Sequence, residues 1–588
     1  MLKDNYAEKA LTPLSMGIMG ILTGIIAGIA AIVFRHITGF VHNLFFLGEF
    51  SICYDPNIHT EASPWGWLII FGPVAGALLV AFLVKTWAPE AKGHGVPEVI
   101  NAIYYNDGKI PIIVAFIKSI ASALSIGSGG SAGSEGPVIQ VGSTFGSVLG
   151  TWISMPLRQR ISLIAAGAAA GLAATFNSPL GGVAFACEVM LPSVSAMSIM
   201  PVILATVTAS YIGRLEFGTG PNFSVIDFSI PDLAAINPGI LLCLVPLGIF
   251  IGLAAVAFVR GIYKAEDFFD ALPGNYYTRH MFGMFIMGIE MYLFLRFAGH
   301  YYVQGTGYAS IMDILNNLIM NPYFLILLCS GKLLATCLTL GSGASGGVFS
   351  PSLLMGAALG SAFGFAVQSL FPGLHIDPVI FALAGMAGMV GAAAGSVLTA
   401  CIMIFELTRD YNAILPVILV TGIAYITRKL LCDPNIYTLK LIRRGKNVPE
   451  GLEAGFSISE KASDIMNKSF YMVESSLTVD KLKKKYKKYG KPDFIIIEKD
   501  RQIIGIIEKK TLKFLKKHDE RKIGDLPLED FIFADKNTSY QKMLRIMDTR
   551  NVRIAVICSD SKALSPAEGI ITADEITVLN EKLSGKLA

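Results

Sequence analysis

A glycine-rich loop that occurs twice is the feature that most limits how this chain can fold. Residues 127–137 read GSGGSAGSEGP, and residues 341–351 read GSGASGGVFSP. The interval is 341 − 127 = 214 positions, and the same interval relates Lys118 to Lys332 and Gly142 to Gly356. The chain is therefore predicted to contain two homologous halves.

The composition places most of the chain in a lipid bilayer. Hydrophobic residues make up 53% of it and charged residues only 16%, whereas soluble domains contain about 25% charged residues. Apolar runs at residues 14–33, 65–84, 240–259 and 323–340 are each near the ~20 residues that a spanning helix needs. Residues 161–189 are interrupted by Gly, Asn and Pro, and broken segments at equivalent places in two halves are typical of the substrate site of a transport protein.

Each copy of the loop places glycines and a proline directly before a stretch of small residues. A helix that starts there leaves several backbone N–H groups without an intrahelical partner, so they point at a ligand. A charge in the bilayer centre costs at least ~2.5–3.5 kcal/mol, and hydrogen bonds to a charged group contribute roughly 1.5–3 kcal/mol each. Two converging helix starts are therefore predicted to bind an anion inside the membrane.

Glu135 is the unusual residue of the first loop, because an acid stands there in an otherwise neutral, apolar stretch. An intramembrane carboxylate indicates a functional site. Its charge resembles that of a bound halide, so Glu135 is predicted to occupy the anion's own site and to act as a gate. The glycines at 142, 146 and 150 are typical of close helix packing instead.

The tail of the chain has a different composition. From Lys440 onward it holds 30 of the 48 Lys and Arg residues and 22 of the 44 Asp and Glu residues, so it is predicted to be soluble. Lys440, Arg443, Arg444 and Lys446 follow the last apolar segment, which places the tail in the cytoplasm. Residues 1–14 lack the pattern of a signal peptide, and both termini are predicted to be cytoplasmic. The eight cysteines have neither disulfide nor metal spacing, so no metal site is expected.

Three motifs resemble the signatures of the CLC family of chloride channels and proton-coupled chloride transporters. They are residues 93–98 (GHGVPE), 133–137 (GSEGP) and 347–351 (GVFSP). Residues 167–182 and 433–437 resemble further family segments. The resemblance implies an all-α polytopic membrane protein of the CLC type, a homodimer with one pore per subunit, in the cell membrane of a prokaryote.

The same resemblance sets the expected domain boundaries. The transmembrane domain is expected at residues 1–445, with inverted repeat halves of broken helices at about 15–215 and 235–440. A linker at 446–458 leads to a cytoplasmic α/β domain at 459–588.

The family's site residues map onto these motifs. Glu135 is the expected gate, framed by residues of its own loop, while two backbone N–H groups and a tyrosine hydroxyl hold the central anion. The expected anion-binding set is His94, Gly95, Ser134, Gly136, Val348, Phe349 and Tyr437. Without the resemblance, Tyr437 would be interpreted as an interfacial tyrosine.

His94 departs from the family pattern, because it stands where the family has a serine that coordinates the central anion. An imidazole can donate an N–H to an anion, and it titrates near neutral pH. Alternatively, the ring turns away and the backbone N–H of His94 serves the anion.

Val189 is the second departure. Coupled transporters of the family have two adjacent acids at this place, the second of which accepts protons from the cytoplasm, whereas this chain has Glu188-Val189. Valine carries no proton, so this pair favours passive conduction. Glu188 and Glu406 stand at equivalent places in the two halves and are predicted to pair with helix ends, and Glu98 is predicted to accept from backbone donors. Lysines 118 and 332 are expected to snorkel to an aqueous vestibule or to concentrate anions.

The tail resembles a tandem pair of CBS modules, at about 459–517 and 523–582. Strands are predicted at 494–498, 503–507, 553–558 and 569–572, and helices at 479–489 and 539–549. Such pairs often bind adenine nucleotides (ATP, ADP or AMP), and many others are purely structural. Thr572 and Asp574 match the phosphate and ribose signature, while the first module lacks these residues.

These observations together predict a chloride-selective channel that conducts passively and is gated by Glu135. The alternative is a proton/chloride antiporter with a non-standard internal proton path. A cation channel would need acid clusters along its membrane path. No nucleophile, base and orienting group occur together, so an enzyme is not expected, and neither is nucleic-acid binding.

Overall fold

The computed structural model describes residues 10–572, with interruptions. The residues left out within this range are 193, 221–222, 224–237, 375, 411–412, 447, 449–461, 489–491, 501, 510, 512–520, 539–542, 544–545, 548–549, 551 and 559–566. The chain forms two compact units, Met1–Gly451 and Leu452–Ala588.

The first unit is built from α-helices. In chain order they are α1 (Pro13–His42), α2 (Gly72–Trp87), α3 (Val96–Tyr105), α4 (Ile112–Gly127), α5 (Glu135–Trp152), α6 (Leu157–Phe176), α7 (Pro179–Phe185), α8 (Ala196–Phe217), α9 (Pro238–Ala271), α10 (Tyr276–Ala298), α11 (Tyr308–Leu315), α12 (Pro322–Ser342), α13 (Phe349–Leu370), α14 (Pro378–Ala394), α15 (Val397–Thr408), α16 (Ile414–Leu431) and α17 (Thr438–Arg443). Shorter 3-10 or π segments lie at Asn43–Leu47, Gly66–Phe71, Pro89–Ala91, Ala186–Met190 and Pro372–Leu374.

Nine helical segments of the described residues are long and apolar enough to cross a membrane. Four of them coincide with the apolar runs predicted from the sequence, to within one residue at the start of the second: Pro13–Leu47, Gly66–Trp87, Pro238–Ala271 and Pro322–Ser342. The predicted polytopic membrane protein is therefore confirmed by the length and composition of its helices.

The interrupted apolar stretches form broken helices, as predicted. Helix α6 ends at Phe176, Asn177 takes the left-handed conformation with a φ of 53°, and α7 begins at Pro179. In the second half, Gly395 (φ 71°) separates α14 from α15 in the same way. Both breaks leave a helix start inside the helical unit.

The two halves repeat the same helix contacts. A Cβ atom on Gly142 of α5 would lie 2.1 Å from the carbonyl oxygen of Gly167 on α6. A Cβ atom on Gly356 of α13 would lie 2.3 Å from the carbonyl oxygen of Gly385 on α14. The backbones touch at both places, so only glycine fits there. These contacts confirm the predicted close packing at Gly142, and they lie at equivalent places of the two halves that the sequence predicts.

Each half supplies a carboxylate that accepts hydrogen bonds at a helix start of the other half. Glu188 of the first half accepts hydrogen bonds at the start of α15, and Glu406 of the second half accepts them at the start of α7. The backbone donors are Leu398 and Thr399 for Glu188, both at 2.8 Å, and Leu180 and Gly181 for Glu406, at 3.1 and 2.8 Å. A carboxylate at a helix N-terminus satisfies open N–H groups and the positive end of the helix dipole. The predicted helix-end role is therefore confirmed.

The second unit contains two three-stranded sheets. Their strands are β1 (Phe470–Glu474), β2 (Phe494–Lys499), β3 (Gln502–Glu508), β4 (Phe531–Asp535), β5 (Ile554–Cys558) and β6 (Ala567–Thr572), and its α-helices are α18 (Ala462–Ile465) and α19 (Val479–Lys488). In each sheet the first strand runs parallel to the second, and the second runs antiparallel to the third. The four predicted strands are confirmed, and β1 and β4 were missed. The helix predicted at 539–549 lies mostly outside the described residues.

The two sheets of the tail are joined through their edges. Asn467, which precedes β1, pairs with Ile570 of β6. Glu529, which precedes β4, donates its backbone N–H to Ile506 of β3 at 3.0 Å. Isoleucines of both sheets also share one buried cluster. The second unit is therefore a single body made of two related modules.

Candidate functional site

The three glycine motifs meet at one place in the first unit. The backbone N–H of Gly133 donates to the carbonyl of Gly347 at 2.8 Å, and Gly347 donates back at 2.6 Å. Gly93 donates to Ala344 at 3.0 Å, and Gly346 donates to Gly93 at 3.3 Å. The loops of the two halves, 214 positions apart in sequence, are therefore in direct contact.

Three helices start from these paired loops, namely α3, α5 and α13. A Cβ atom on Gly347 would lie 2.8 Å from the backbone nitrogen of Gly136, so the starts of α5 and α13 approach closely. A Cβ atom on Gly136 would lie 2.3 Å from the carbonyl oxygen of His94, so the loop before α3 is also part of the cluster. Among the described residues, the N–H groups of Val348 and Phe349 have no protein acceptor. This cluster of helix starts suits an anion.

Glu135 is fully buried and its carboxylate lies at the start of α13. Its Oε1 accepts from the hydroxyl groups of Tyr308, at 2.8 Å, Ser134, at 3.3 Å, and Ser350. Its Oε2 lies 3.4 Å from the backbone nitrogen of Ser350. A negative group thus already occupies the position that the helix dipole of α13 would offer to an anion.

Tyr308 and Ser350 were missed by the sequence reasoning. Tyr308 is the first residue of α11, is 8% exposed, and its hydroxyl lies 2.9 Å from that of Ser350. The repeat contained the signal for it: residues 305–308 (GTGY) follow residues 93–96 (GHGV) at an interval of 212 positions. The start of α11 is therefore the second-half counterpart of the start of α3.

His94 and Tyr437 lie next to each other. The two rings are 5.8 Å apart between centroids, and both side chains are buried. Nε2 of His94 lies 3.2 Å from the hydroxyl of Tyr263 on α9. The backbone N–H of Tyr437 donates to Asn435 at 2.8 Å, which holds residue 437 at the start of α17. Gly95, with a φ of 82°, turns the chain from His94 into α3.

The two buried lysines do not snorkel, which corrects that expectation. Both are fully buried. Lys118 donates to the carbonyls of Ala91, at 3.1 Å, and Gly93, at 2.6 Å. Lys332 donates to the equivalent loop carbonyls of the second half, those of Val303 and Gly305, at 2.9 and 2.8 Å. Each lysine therefore holds the loop that leads into α3 or α11.

The prediction for Glu98 is also wrong. Among the described residues its carboxylate accepts from no backbone donor, and it forms ion pairs with Arg444 at 2.8 Å and with Lys440 at 3.4 Å. These contacts tie α3 to α17 and to the residue that follows α17. Val189 lies in the π segment Ala186–Met190, where it is partly buried and packs against the hydrophobic core.

In the tail, Thr572 is the last residue of β6 and is 8% exposed. Asp574 lies outside the described residues. Among the residues that the structure describes, no group of three or more His, Cys, Asp or Glu side chains could hold a metal ion.

Comparison with known proteins places these observations in a family. The family model described as voltage gated chloride channel matches residues 76–429, well over half of the chain. The H(+)/Cl(-) exchange transporter ClcA of Vibrio cholerae serotype O1 is 32% identical over 451 residues, which cover 76% of this chain and 92% of the relative.

Two solved structures are similar to the chain. A slow cyanobacterial Cl-/H+ antiporter is 27% identical, with a TM-score of 0.63, and the match covers 74% of this chain and 99% of that structure. A eukaryotic CLC transporter is 18% identical, with a TM-score of 0.62, and the match covers 96% of this chain and 98% of that structure. The second likeness concerns the fold alone.

The prediction of a passive channel is contradicted by these findings, because the ClcA relative is named an exchange transporter and the cyanobacterial structure an antiporter. The prediction rested on Val189. One apolar residue removes one proton-accepting group, but it does not determine which other buried groups carry protons.

The signature loops meet in the structure as the resemblance to the family implied. The family model and the 32% identity extend over most of the membrane unit. The chain belongs to the CLC family, the family described as voltage gated chloride channels.

Proposed function

We propose that this protein is a proton/chloride antiporter in which Glu135 is both the gate and a proton carrier. The observation that carries the proposal is the Glu135 carboxylate at the start of α13, held by Tyr308 and by Ser350. The names of the ClcA relative and of the cyanobacterial antiporter support the same function.

The geometry explains how one residue can link the two ions. The carboxylate and a chloride ion compete for the same N–H and O–H donors, so chloride enters when the carboxylate leaves. A chloride ion that takes over these donors removes the hydrogen bonds that favour a charged carboxylate. Each displacement of Glu135 by chloride therefore promotes uptake of a proton, which couples the two movements.

The anion is proposed to contact the helix starts around this position. We assign it to the N–H groups of Val348 and Phe349 and the hydroxyl of Tyr437. The residues next to the gate and at the start of α3 complete the proposed site: Ser134, Gly136, His94 and Gly95.

Transport measurements on reconstituted full-length protein test the proposal. With equal chloride on both sides and a proton gradient across the membrane, an antiporter shifts its reversal potential away from zero. Glu135→Gln removes the titratable group, so it should abolish the shift while chloride still moves. Glu216→Gln, at an exposed carboxylate that pairs with His36, is the matched control. A reversal potential that does not respond to the proton gradient in the unmodified protein would refute antiport.

The tail at 459–588 is proposed to be a tandem CBS pair that modulates transport. The two equivalent sheets, each with one parallel and one antiparallel pairing, support a duplicated module. Nucleotide is proposed to bind at the second module, with Thr572 on the phosphate and Asp574 on the ribose. Binding of ATP, ADP or AMP to the full-length protein, compared with the Thr572→Ala variant, tests this assignment.

Assembly and orientation complete the proposal. The protein is proposed to form a homodimer with one pore per subunit in a prokaryotic cell membrane, with both termini in the cytoplasm. The basic residues Lys440, Arg443 and Arg444 at α17 support the cytoplasmic side for that end. Mass measurement in lipid nanodiscs tests the dimer, and protease access to the tail in sealed inside-out vesicles tests the orientation.

A further inference from the structure

The hydrogen bonds around His94 determine which ring nitrogen carries its proton. The Tyr263 hydroxyl donates to the carbonyl of Ile436 at 2.5 Å, so the tyrosine oxygen is left to accept from His94. Nε2 of His94 lies 3.2 Å from that oxygen and must therefore be the N–H donor. In the neutral ring, Nδ1 is then a bare acceptor. It is buried and has no hydrogen-bond partner among the residues that the structure describes.

An unpaired buried acceptor is costly, because it has lost its water without gaining a donor. A chloride ion beside Nδ1 cannot bond to a lone pair, whereas it can accept a hydrogen bond from a protonated Nδ1. Anion binding next to His94 therefore favours protonation of the ring, and protonation favours the anion.

The charges that face His94 strengthen this dependence. Lys118 from α4, Lys440 from α17 and Arg444 just after α17 lie within electrostatic range of the ring. The rings of Tyr263 and Tyr437 also lie beside it. Glu98 of α3 forms ion pairs with Lys440 and Arg444 and offsets part of their charge. The three cations still disfavour a further positive charge on the imidazole when no anion is bound. A bound chloride offsets that repulsion.

We infer that His94 is the inner proton-binding residue of the exchange cycle and binds its proton together with the anion. The inference rests on the proposed antiport function. Neutral imidazole takes a proton from a hydronium ion on the cytoplasmic side, which leaves a water molecule, and becomes imidazolium. It then passes that proton towards the Glu135 carboxylate, which leaves neutral imidazole and a carboxylic acid. This assigns to His94 the task for which Val189 provides no group.

The position of His94 suits this transfer. Its carbonyl oxygen is adjacent to Gly136, the residue after Glu135, so the two titratable residues belong to neighbouring helix starts. His94 also lies beside Tyr437 at the start of α17, and the basic residues of α17 favour the cytoplasmic side that we propose for that end.

His280 offers a matched control. Its Nδ1 lies 2.9 Å from the hydroxyl of Ser342, which donates to the carbonyl of Thr339 at 3.1 Å. Its Nε2 is buried and has no partner within the described part of the chain. The ring is 1% exposed. His280 therefore has the same hydrogen-bond chemistry as His94, but it lies on α10 and not at a helix start of the site.

The first test measures the number of protons moved per chloride by full-length protein in liposomes. His94→Ser and His94→Asn should lower the proton flux per chloride by about 100-fold, since a positioned proton carrier contributes roughly 10²–10⁴-fold. His280→Asn should keep the ratio of the unmodified protein. An unchanged ratio in both His94 variants would overturn the inference and leave the proposed antiport function intact. No proton coupling in the unmodified protein would refute the antiport function itself.

A second test does not depend on transport. Chloride is added to unbuffered, detergent-solubilised protein near neutral pH, and the change in pH is recorded. The Glu135→Gln protein is the background, so that the gate contributes no proton. The Glu135→Gln protein should take up protons as chloride binds, and the Glu135→Gln/His94→Asn protein should take up none. Equal uptake by the two proteins would overturn the assignment to His94.

Discussion

Tyr308→Phe tests how strongly the gate is held at the start of α13. The substitution removes one hydroxyl donor, at 2.8 Å from Oε1 of Glu135, and leaves the buried ring in place. A hydrogen bond to a charged group contributes about 1.5–3 kcal/mol. The hydroxyl groups of Ser134 and Ser350 remain to hold the carboxylate, so the lower end of that range applies.

A loss of about 1.5 kcal/mol corresponds to about a tenfold change in an equilibrium constant. Since the carboxylate and chloride compete for one position, a weaker hold on Glu135 should tighten apparent chloride binding by about tenfold. Isothermal titration of the full-length protein with chloride measures this directly.

Tyr301→Phe is the control for this experiment. Tyr301 is also buried, at 1% exposed, and its hydroxyl accepts from the backbone N–H of Ser63 at 3.0 Å and not from any group at Glu135. The Tyr301→Phe substitution should leave the affinity for chloride unchanged. Weaker or unchanged chloride binding in Tyr308→Phe would refute the idea that Tyr308 acts on a carboxylate that competes with the anion.

Three further predictions concern the frame around the site. Glu406→Gln should lower the free energy of unfolding by about 2–3 kcal/mol, because a neutral amide accepts more weakly from the N–H groups at the start of α7. The number of protons moved per chloride should stay unchanged. Thermal unfolding and liposome fluxes test this, and lost coupling at an unchanged melting temperature would contradict it. Gly142→Ala and Gly356→Ala should each destabilise the protein by about 1–3 kcal/mol, since a methyl group there meets a carbonyl oxygen of the neighbouring helix; equal melting temperatures of variant and unmodified protein would refute the contact. Lys332→Met should destabilise the protein by about 1–3 kcal/mol for each of the two loop carbonyls left unpaired. A urea unfolding curve that matches that of the unmodified protein would show that Lys332 does not stabilise the loop before α11.

Local sequence signals were sufficient to predict where the helices of the site start. Glycine and proline act through backbone geometry at their own positions, so the loops before α5 and α13 are visible in the sequence. The interval of 214 positions then predicted that the two loops share a role, and Gly133 and Gly347 do pair. Tyr308 was missed because its counterpart in the first half is the apolar Val96, so the shared role of the two helix starts is not visible in the residue types.

The remaining errors concern side chains whose partners are distant in sequence. Lys118 and Lys332 were expected to reach water because a buried ammonium is costly, but loop carbonyls of each half satisfy them. The hydrogen bond from His94 to Tyr263 spans 169 positions, and no local pattern indicates it. Val189 led to the wrong transport class, since a proton path depends on which buried groups come together in space.

Glu188 and Glu406 each cap a helix start of the other half, and this affects how the protein can fold during synthesis. The chain is synthesised from its N-terminus, and Glu406 follows Gly181 by 225 positions. Helix α7 therefore enters the membrane before the residue that satisfies its first N–H groups exists, and Glu188 likewise precedes α15, the helix whose first N–H groups it accepts. Neither half can reach its final form alone. A gene divided between the repeats should yield a working transporter only when both fragments are produced together in one membrane.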